Sequence, residues 1–186
     1  MDRLQLRPTV TAAPAGRPLG APRRWPLRLV ALGLLLAAAC GAPPTLGHTL
    51  PSDEALARAV LDAVAANDRE ALMALSVSKD EFEDVVWPTL PASRPEVGMP
   101  ADYVWRDTFD KSRAHLAQTL EAWGGTRFDL VRVEFLGDTT TNDVYTLSRK
   151  AVLVVRGPDG QERRLRLFGS VIRQGGGSKV YSYIVD

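Results

Sequence analysis

The chain of 186 residues has one cysteine, Cys40, and two histidines, His48 and His115. A single thiol cannot close an internal disulfide. No two potential ligands fall at H-x-x-x-H or C-x-x-C spacing, so no metal site is expected. Signatures of nucleophiles and phosphate loops are missing too. There is no G-x-S-x-G turn, and the glycine triplet Gly175–Gly177 leads into a strand rather than a helix opened by Lys-Ser or Lys-Thr. No cofactor is expected. The charge-free apolar run from Leu29 to Cys40 has twelve residues, whereas a membrane-spanning helix takes about 20. A basic face is also lacking. Residues 1–39 carry six arginines and one acid, which leaves 17 basic and 21 acidic residues, net −4, in the remainder. Nucleic-acid phosphates require concentrated cations interleaved with aromatic residues, so no nucleic-acid partner is expected.

What the chain does have is a strong division. Residues 1–28 are rich in Arg, Pro, Ala and Gly, with no period of 2 or 3.6. Arg23, Arg24 and Arg28 then flank the run "LVALGLLLAAAC", which has the length of the apolar core of a secretory signal. Small residues Ala37, Ala38 and Ala39 lead into Cys40-Gly41. This junction resembles the lipobox of bacterial lipoproteins, with Ala37 where Leu is usual. The resemblance implies that residues 1–39 are removed and that Cys40 is lipidated, which would place the protein outside the cytoplasm on a cell or outer membrane, facing the periplasm or exterior. The residues alone leave two other readings open: cleavage at an A-x-A site without lipid, and a buried helix with Cys40 in the core. Residues 40–51, with Pro43, Pro44, Gly47 and Pro51, read as a tether.

From Ser52 the pattern is that of a domain. Ser52 is a candidate N-cap, with Asp53 and Glu54 at the positive end of a helix dipole and Leu56, Val60 and Val64 on one face. Asn67 to Glu70 and Ser78 to Glu81 are two further capping signatures. Residues 88–100 contain four prolines and read as a loop. A long helix is expected from about Ala101 to Trp123, burying Trp105, Phe109, Ser112, Leu116, Leu120 and Trp123, and ended by Gly124-Gly125. Trp87, Trp105 and Trp123 read as core anchors. The period then becomes two. Four strands are expected: 127–137 with a bulge near Leu130, 144–156, 161–173 with a bend at Gly169, and 180–186. Gly157 to Gly160 and residues 174–179 form the turns between the last three.

Helices followed by an antiparallel meander make an α+β domain over 52–186, with the long helix on a curved sheet of about four strands. This element order resembles the NTF2-like (cystatin-like) superfamily, a cone-shaped fold. The resemblance implies a pocket between sheet and helices, where an enzyme of the isomerase or lyase kind would use an Asp base or an Asp/His pair beside Tyr or Trp donors. Asp107 and His115 are the candidates for that role. His115 lies roughly 100° round the helix from the Leu116 line, and Asp107 lies near the start of the helix on a solvated face, so both read more simply as surface residues. The strands offer Arg164, Arg166, Tyr181 and Tyr183 as a binding surface, since Tyr and Arg combine broad contact with a polar end. The expected function is a non-enzymatic, tethered binding module. Its expected partners are the membrane through Cys40, a small apolar ligand or a protein, and a second copy through the sheet.

Overall fold

The computed structural model describes residues 43–185; Cys40, residues 1–39 and Asp186 lie outside them. Helix α1, Asp53–Ala65, begins where Ser52 Oγ accepts the N–H of Ala55. It buries Leu56, Ala57, Val60, Leu61, Ala63 and Val64, a stripe wide enough to be covered on more than one side. Helix α2, Arg69–Ala74, is capped by Asp68, whose carboxylate accepts the N–H of Ala71. The cap is one residue later than expected because Asn67 takes a left-handed conformation, φ 53°, which Asn tolerates better than most residues. Helix α3, Lys79–Glu81, has the full reciprocal capping box of Ser78 and Glu81. It runs on into a wide turn over Phe82–Val86 and two tight ones, Trp87–Thr89 and Pro91–Ser93.

Helix α4, Ala101–Trp123, has the expected span but not the expected burial. Only Ser112 and Leu116 are buried; Trp105, Phe109, Leu120 and Trp123 are half-exposed. The helix crosses the domain over its middle turns and leaves both ends at the margin. There Trp105 stacks on Phe109 at 5.3 Å, and Trp123 meets Phe128 edge-on at 5.6 Å. The three tryptophans thus edge the core.

The expected four strands are seven. They are β1 Asp129–Phe135, β2 Thr139–Thr141, β3 Thr146–Arg149, β4 Ala151–Arg156, β5 Glu162–Leu165, β6 Ser170–Gln174 and β7 Gly177–Ser182. They form two antiparallel sheets, ordered β1-β4-β5 and β2-β3-β6-β7. Both long runs, 144–156 and 161–173, are broken at a corner. Lys150, at φ 55°, turns β3 into β4, and residues 166–169 turn β5 into β6. The corners stay joined, since Ala151 N–H donates to Gly169 O and Gly169 N–H donates to Ser182 O, both at 3.0 Å. Gly169 has no substitute here: a Cβ would sit 1.8 Å from Ile184 O. The stretch between the first two expected strands contributes strand β2. The β6–β7 turn is closed by Gly175 and Gly176, at φ 59° and 84°, the left-handed pair that a two-residue hairpin requires.

Two apolar clusters result. In the first, α1 packs on β1, β4 and β7, with Leu116 and Tyr183 beside it. In the second, Leu46, Val77, Phe82, Val85 and Val86 cover Tyr145, Leu147 and Ile172. The four-stranded sheet is therefore covered on both faces, with Val171 and Val180 in one cluster and Ile172 in the other.

The segment read as a tether is docked from Leu46 onward. Leu46 is buried, and Leu50 exchanges both backbone hydrogen bonds with Ser178, at 2.9 and 2.7 Å. Gly47 N–H donates to Glu81 Oε1 at 2.7 Å. The Lys179 ammonium, only 4% exposed, donates to both Glu81 oxygens and to Gly47 O at 2.7–2.9 Å. A buried ammonium is tolerated only when its donors are taken up, and here they are. Proline and glycine do keep this stretch out of helix and strand, yet its backbone groups find partners in the Glu81–Lys179 pair.

Candidate functional site

A recess of about 360 Å³ opens over the four-stranded sheet at the end of the second cluster. Its floor follows from strand alternation. Tyr145, just before β3, and Leu147 and Arg149 within it are two residues apart and share a face, and all three line the recess. Thr89 and Leu90, between the two tight turns, form one rim; Thr140 and Asn142, from the β2 edge, form the other. Ser170, Tyr181, Ser182 and Ile184 complete the wall.

A bulge decides which tyrosines meet. Ser170 pairs with Ser182 and Val171 with Val180, so β7 has one residue too many at Tyr181. A bulge of this kind interrupts strict alternation. Tyr181 and Ser182 both line the recess, and Tyr183 turns to the opposite face. There it is buried in the α1 cluster, with its hydroxyl donating to Leu72 O at 2.6 Å and its N–H donating to Ser112 Oγ at 3.2 Å. Tyr181 and Tyr183 thus do not form one surface as the alternation implied.

The polar groups in the recess have defined roles. Thr89 Oγ1 donates to Val86 O at 2.8 Å, so Tyr145 must be the donor in its 2.8 Å contact with Thr89 Oγ1. Asn142 Oδ1 accepts the N–H groups of Val144 and Tyr145 and holds the turn before β3. The Tyr181 hydroxyl is pushed up to about 12, first by burial and then by Tyr145, with Arg149 acting against both. It therefore stays a protonated hydrogen-bond donor throughout the physiological range. A smaller hollow of about 50 Å³ adjoins the recess, sharing Arg149, Ser170 and Ile184 with it and adding Lys150, Arg166 and Gly169.

The other expected residues lie elsewhere. Arg164 is on β5, where it and Arg132 share Glu134 at 2.6 and 2.7 Å. Arg132 most of all, helped by Arg164, holds that carboxyl below its ordinary range against the opposing effect of burial. Asp107 is exposed on α4 and paired with Lys111 at 2.6 Å. His115 is half-buried on the same helix and lines neither hollow. Arg149 and Lys150 were missed as site residues. Their signal was the pair "RK" in mid-strand, which reads as a solvated face until the chain is seen to turn a corner there.

The recess thus presents hydroxyl, amide and guanidinium donors on an apolar floor, a surface suited to binding an acceptor-rich ligand. Among the described residues, no three His, Cys, Asp or Glu side chains gather to hold a metal ion, and no helix is long and apolar enough to cross a membrane. Set against known protein families, curated proteins and solved structures, the chain shows no match, so the geometry of this recess carries the functional reading by itself.

Proposed function

We propose that the chain is an exported bacterial lipoprotein, anchored through lipid on Cys40, whose folded part is a non-enzymatic binding module. The ligand enters the recess between Tyr145 and Tyr181. Export and anchoring rest on the sequence: an arginine-flanked, charge-free run of twelve residues closed by Ala37-Ala38-Ala39-Cys40. The fold is read as an NTF2-like cone, a reading supported by two antiparallel sheets, joined at corners, that turn around α1. The recess carries the binding function. It is lined by Tyr, Thr, Asn, Ser and Arg donors, with no carboxylate or imidazole among the described residues that line it, so a general base within reach of a substrate is wanting.

Two measurements test this. Mass spectrometry of the native mature chain should find an N-terminal cysteine with acyl mass; a free thiol at Cys40 overturns the anchoring. In a thermal-shift screen of small molecules, Tyr181→Trp should fill the recess and abolish the hits found with the unaltered chain. Hits that survive that substitution place the binding elsewhere, and turnover lost in Asp107→Asn or His115→Ala establishes an enzyme instead.

A further inference from the structure

The charges on the sheets are unevenly spent. Arg132 and Arg164 share Glu134, Arg156 holds Glu162, Arg163 holds Asp159, Arg173 holds Asp53 and Lys179 holds Glu81. Arg149, Lys150 and Arg166 form no salt bridge with a described residue, and these three line one hollow. Residues 149 and 150 are neighbours in sequence and would point to opposite faces of a straight strand. They reach the same hollow because Lys150 sits at φ 55°. That left-handed conformation is unfavourable for a residue with a Cβ, and Gly or Asn would adopt it more readily. A lysine thus holds a strained backbone conformation beside two more cations, and no described carboxylate pairs with any of the three. Strain of this kind is a pointer to function.

The hollow does not stand alone. Arg149, Ser170 and Ile184 belong to both it and the recess. Across the recess, the protonated Tyr181 hydroxyl is oriented by no hydrogen bond to a described residue, and Arg149 is near enough to act on it electrostatically. Beyond them lie Leu90, Leu147 and the tyrosine rings. Cations at one end, a phenol donor on the recess wall and an apolar floor make a gradient from charged to apolar across the two adjoining hollows.

We infer that Arg149, Lys150 and Arg166 form an anion subsite, and that the recess takes an amphiphilic anion: a phosphate or carboxylate head on an apolar body. This inference rests on the binding-module reading above and names the class of its ligand. Arginine suits such a head because its planar fork meets two oxygens at once, and a charge-assisted bond is roughly twice as strong as a neutral one. The Tyr181 hydroxyl donates to the same head, and the apolar body lies along Leu147.

Calorimetry on the full chain distinguishes the contributions, with octyl phosphate, octanoate, octyl glucoside and inorganic phosphate as probes. Octyl phosphate and octanoate should bind, and rising salt should weaken both. Octyl glucoside, which lacks the charge, and inorganic phosphate, which lacks the body, should each bind at least about tenfold more weakly. The double variant Arg149→Gln, Arg166→Gln should lose about tenfold or more for octyl phosphate. Both residues are exposed, so circular dichroism should show its fold unchanged. Tyr181→Phe should lose a smaller factor, with the same order among the probes. Vesicles of phosphatidylglycerol distinguish the source of the head. Flotation reversed by octyl phosphate and lost in the double variant assigns a lipid headgroup; tight octyl phosphate binding without flotation assigns a free amphiphile. The inference is overturned if octyl glucoside binds as tightly as octyl phosphate, or if the double variant binds like the unaltered chain. A neutral hit from the screen that Tyr181→Trp abolishes would keep the binding module while rejecting the anion.

Discussion

Helices α1 and α4 differ in length and role in opposite senses. With 13 residues, α1 buries six of them; α4, with 23, buries two. Both carry apolar residues at helical spacing. The difference lies in what each faces. The apolar stripe of α1 is enclosed by two sheets that turn around it, whereas α4 rests on the outside, burying only Ser112 and Leu116 and setting Trp105, Leu120 and Trp123 half-exposed against the core's margin. A long periodic stripe is thus a statement about a helix's surface, and burial depends on whether other elements curve toward that surface.

This contrast can be broken by substitution. Leu56→Ala in α1 and Leu116→Ala in α4, both at fully buried positions, should each cost about 2–5 kcal/mol in urea denaturation. Leu120→Ala, half-buried one turn further along α4, should cost about 1 kcal/mol or less because little apolar surface is returned to water. Equal losses at 116 and 120 would mean that the end of α4 is as enclosed as its middle.

The docked segment before α1 gives a second way to sharpen the contrast. Glu81→Gln strands the Lys179 ammonium and should cost roughly 2–3 kcal/mol, less than the loss of a fully dry pair because Glu81 keeps some exposure. Burial alone would raise the Glu81 carboxyl, but the Lys179 ammonium and the Ser78 and Gly47 N–H groups outweigh it and hold it below 4.5. As pH falls, the unfolded chain therefore takes up the proton first. The stabilisation is complete above about pH 5 and is lost as pH drops through the depressed folded value. Hydrogen exchange at Gly47 and Leu50 should accelerate in that window before exchange in α1 does. Uniform acceleration would show that the segment does not open separately.

Gly169→Ala should cost about 1–3 kcal/mol, because its methyl group must displace the Ile184 carbonyl at the corner. The smallest effect concerns the recess. Arg149→Gln removes the one charge that eases ionisation of Tyr181, so the phenol, already pushed up to about 12, should titrate still higher. Ultraviolet titration would detect the rise, and a fall would place Arg149 away from the ring.

Local chemistry was legible in the sequence. Ser52 and Ser78 are caps, Gly157 to Gly160 is a hairpin turn, and the register of β1 does shift between Leu130 and Arg132. Each of these depends on residues a few positions apart. The corners depend on more. Nothing about Lys150 marks it as left-handed, because the residues on both sides continue a good strand pattern; the hydrogen bond from Ala151 to Gly169 pins the turn from 18 residues away. Gly169 was legible as a bend, and its necessity comes from Ile184, which the strand pattern does not place. The site followed the same division. Tyr181 was found by composition, while Tyr183 was misplaced because a bulge is set by the partner strand. Arg149 and Lys150 became site residues only through the corner between them.

The docking of Leu46 sets a length. Six residue steps lead from Cys40 to Leu46, and a fully extended chain advances at most about 3.6 Å per residue, so the two are never more than about 22 Å apart. With lipid on Cys40, the domain would be moored close to the bilayer, within about its own radius, and could not roam above it. Its search for ligands would become two-dimensional, and anything dissolved in or skimming the headgroup layer would meet it at a high effective concentration. Releasing Leu46 by breaking the Glu81–Lys179 pair would lengthen the mooring line without touching the anchor.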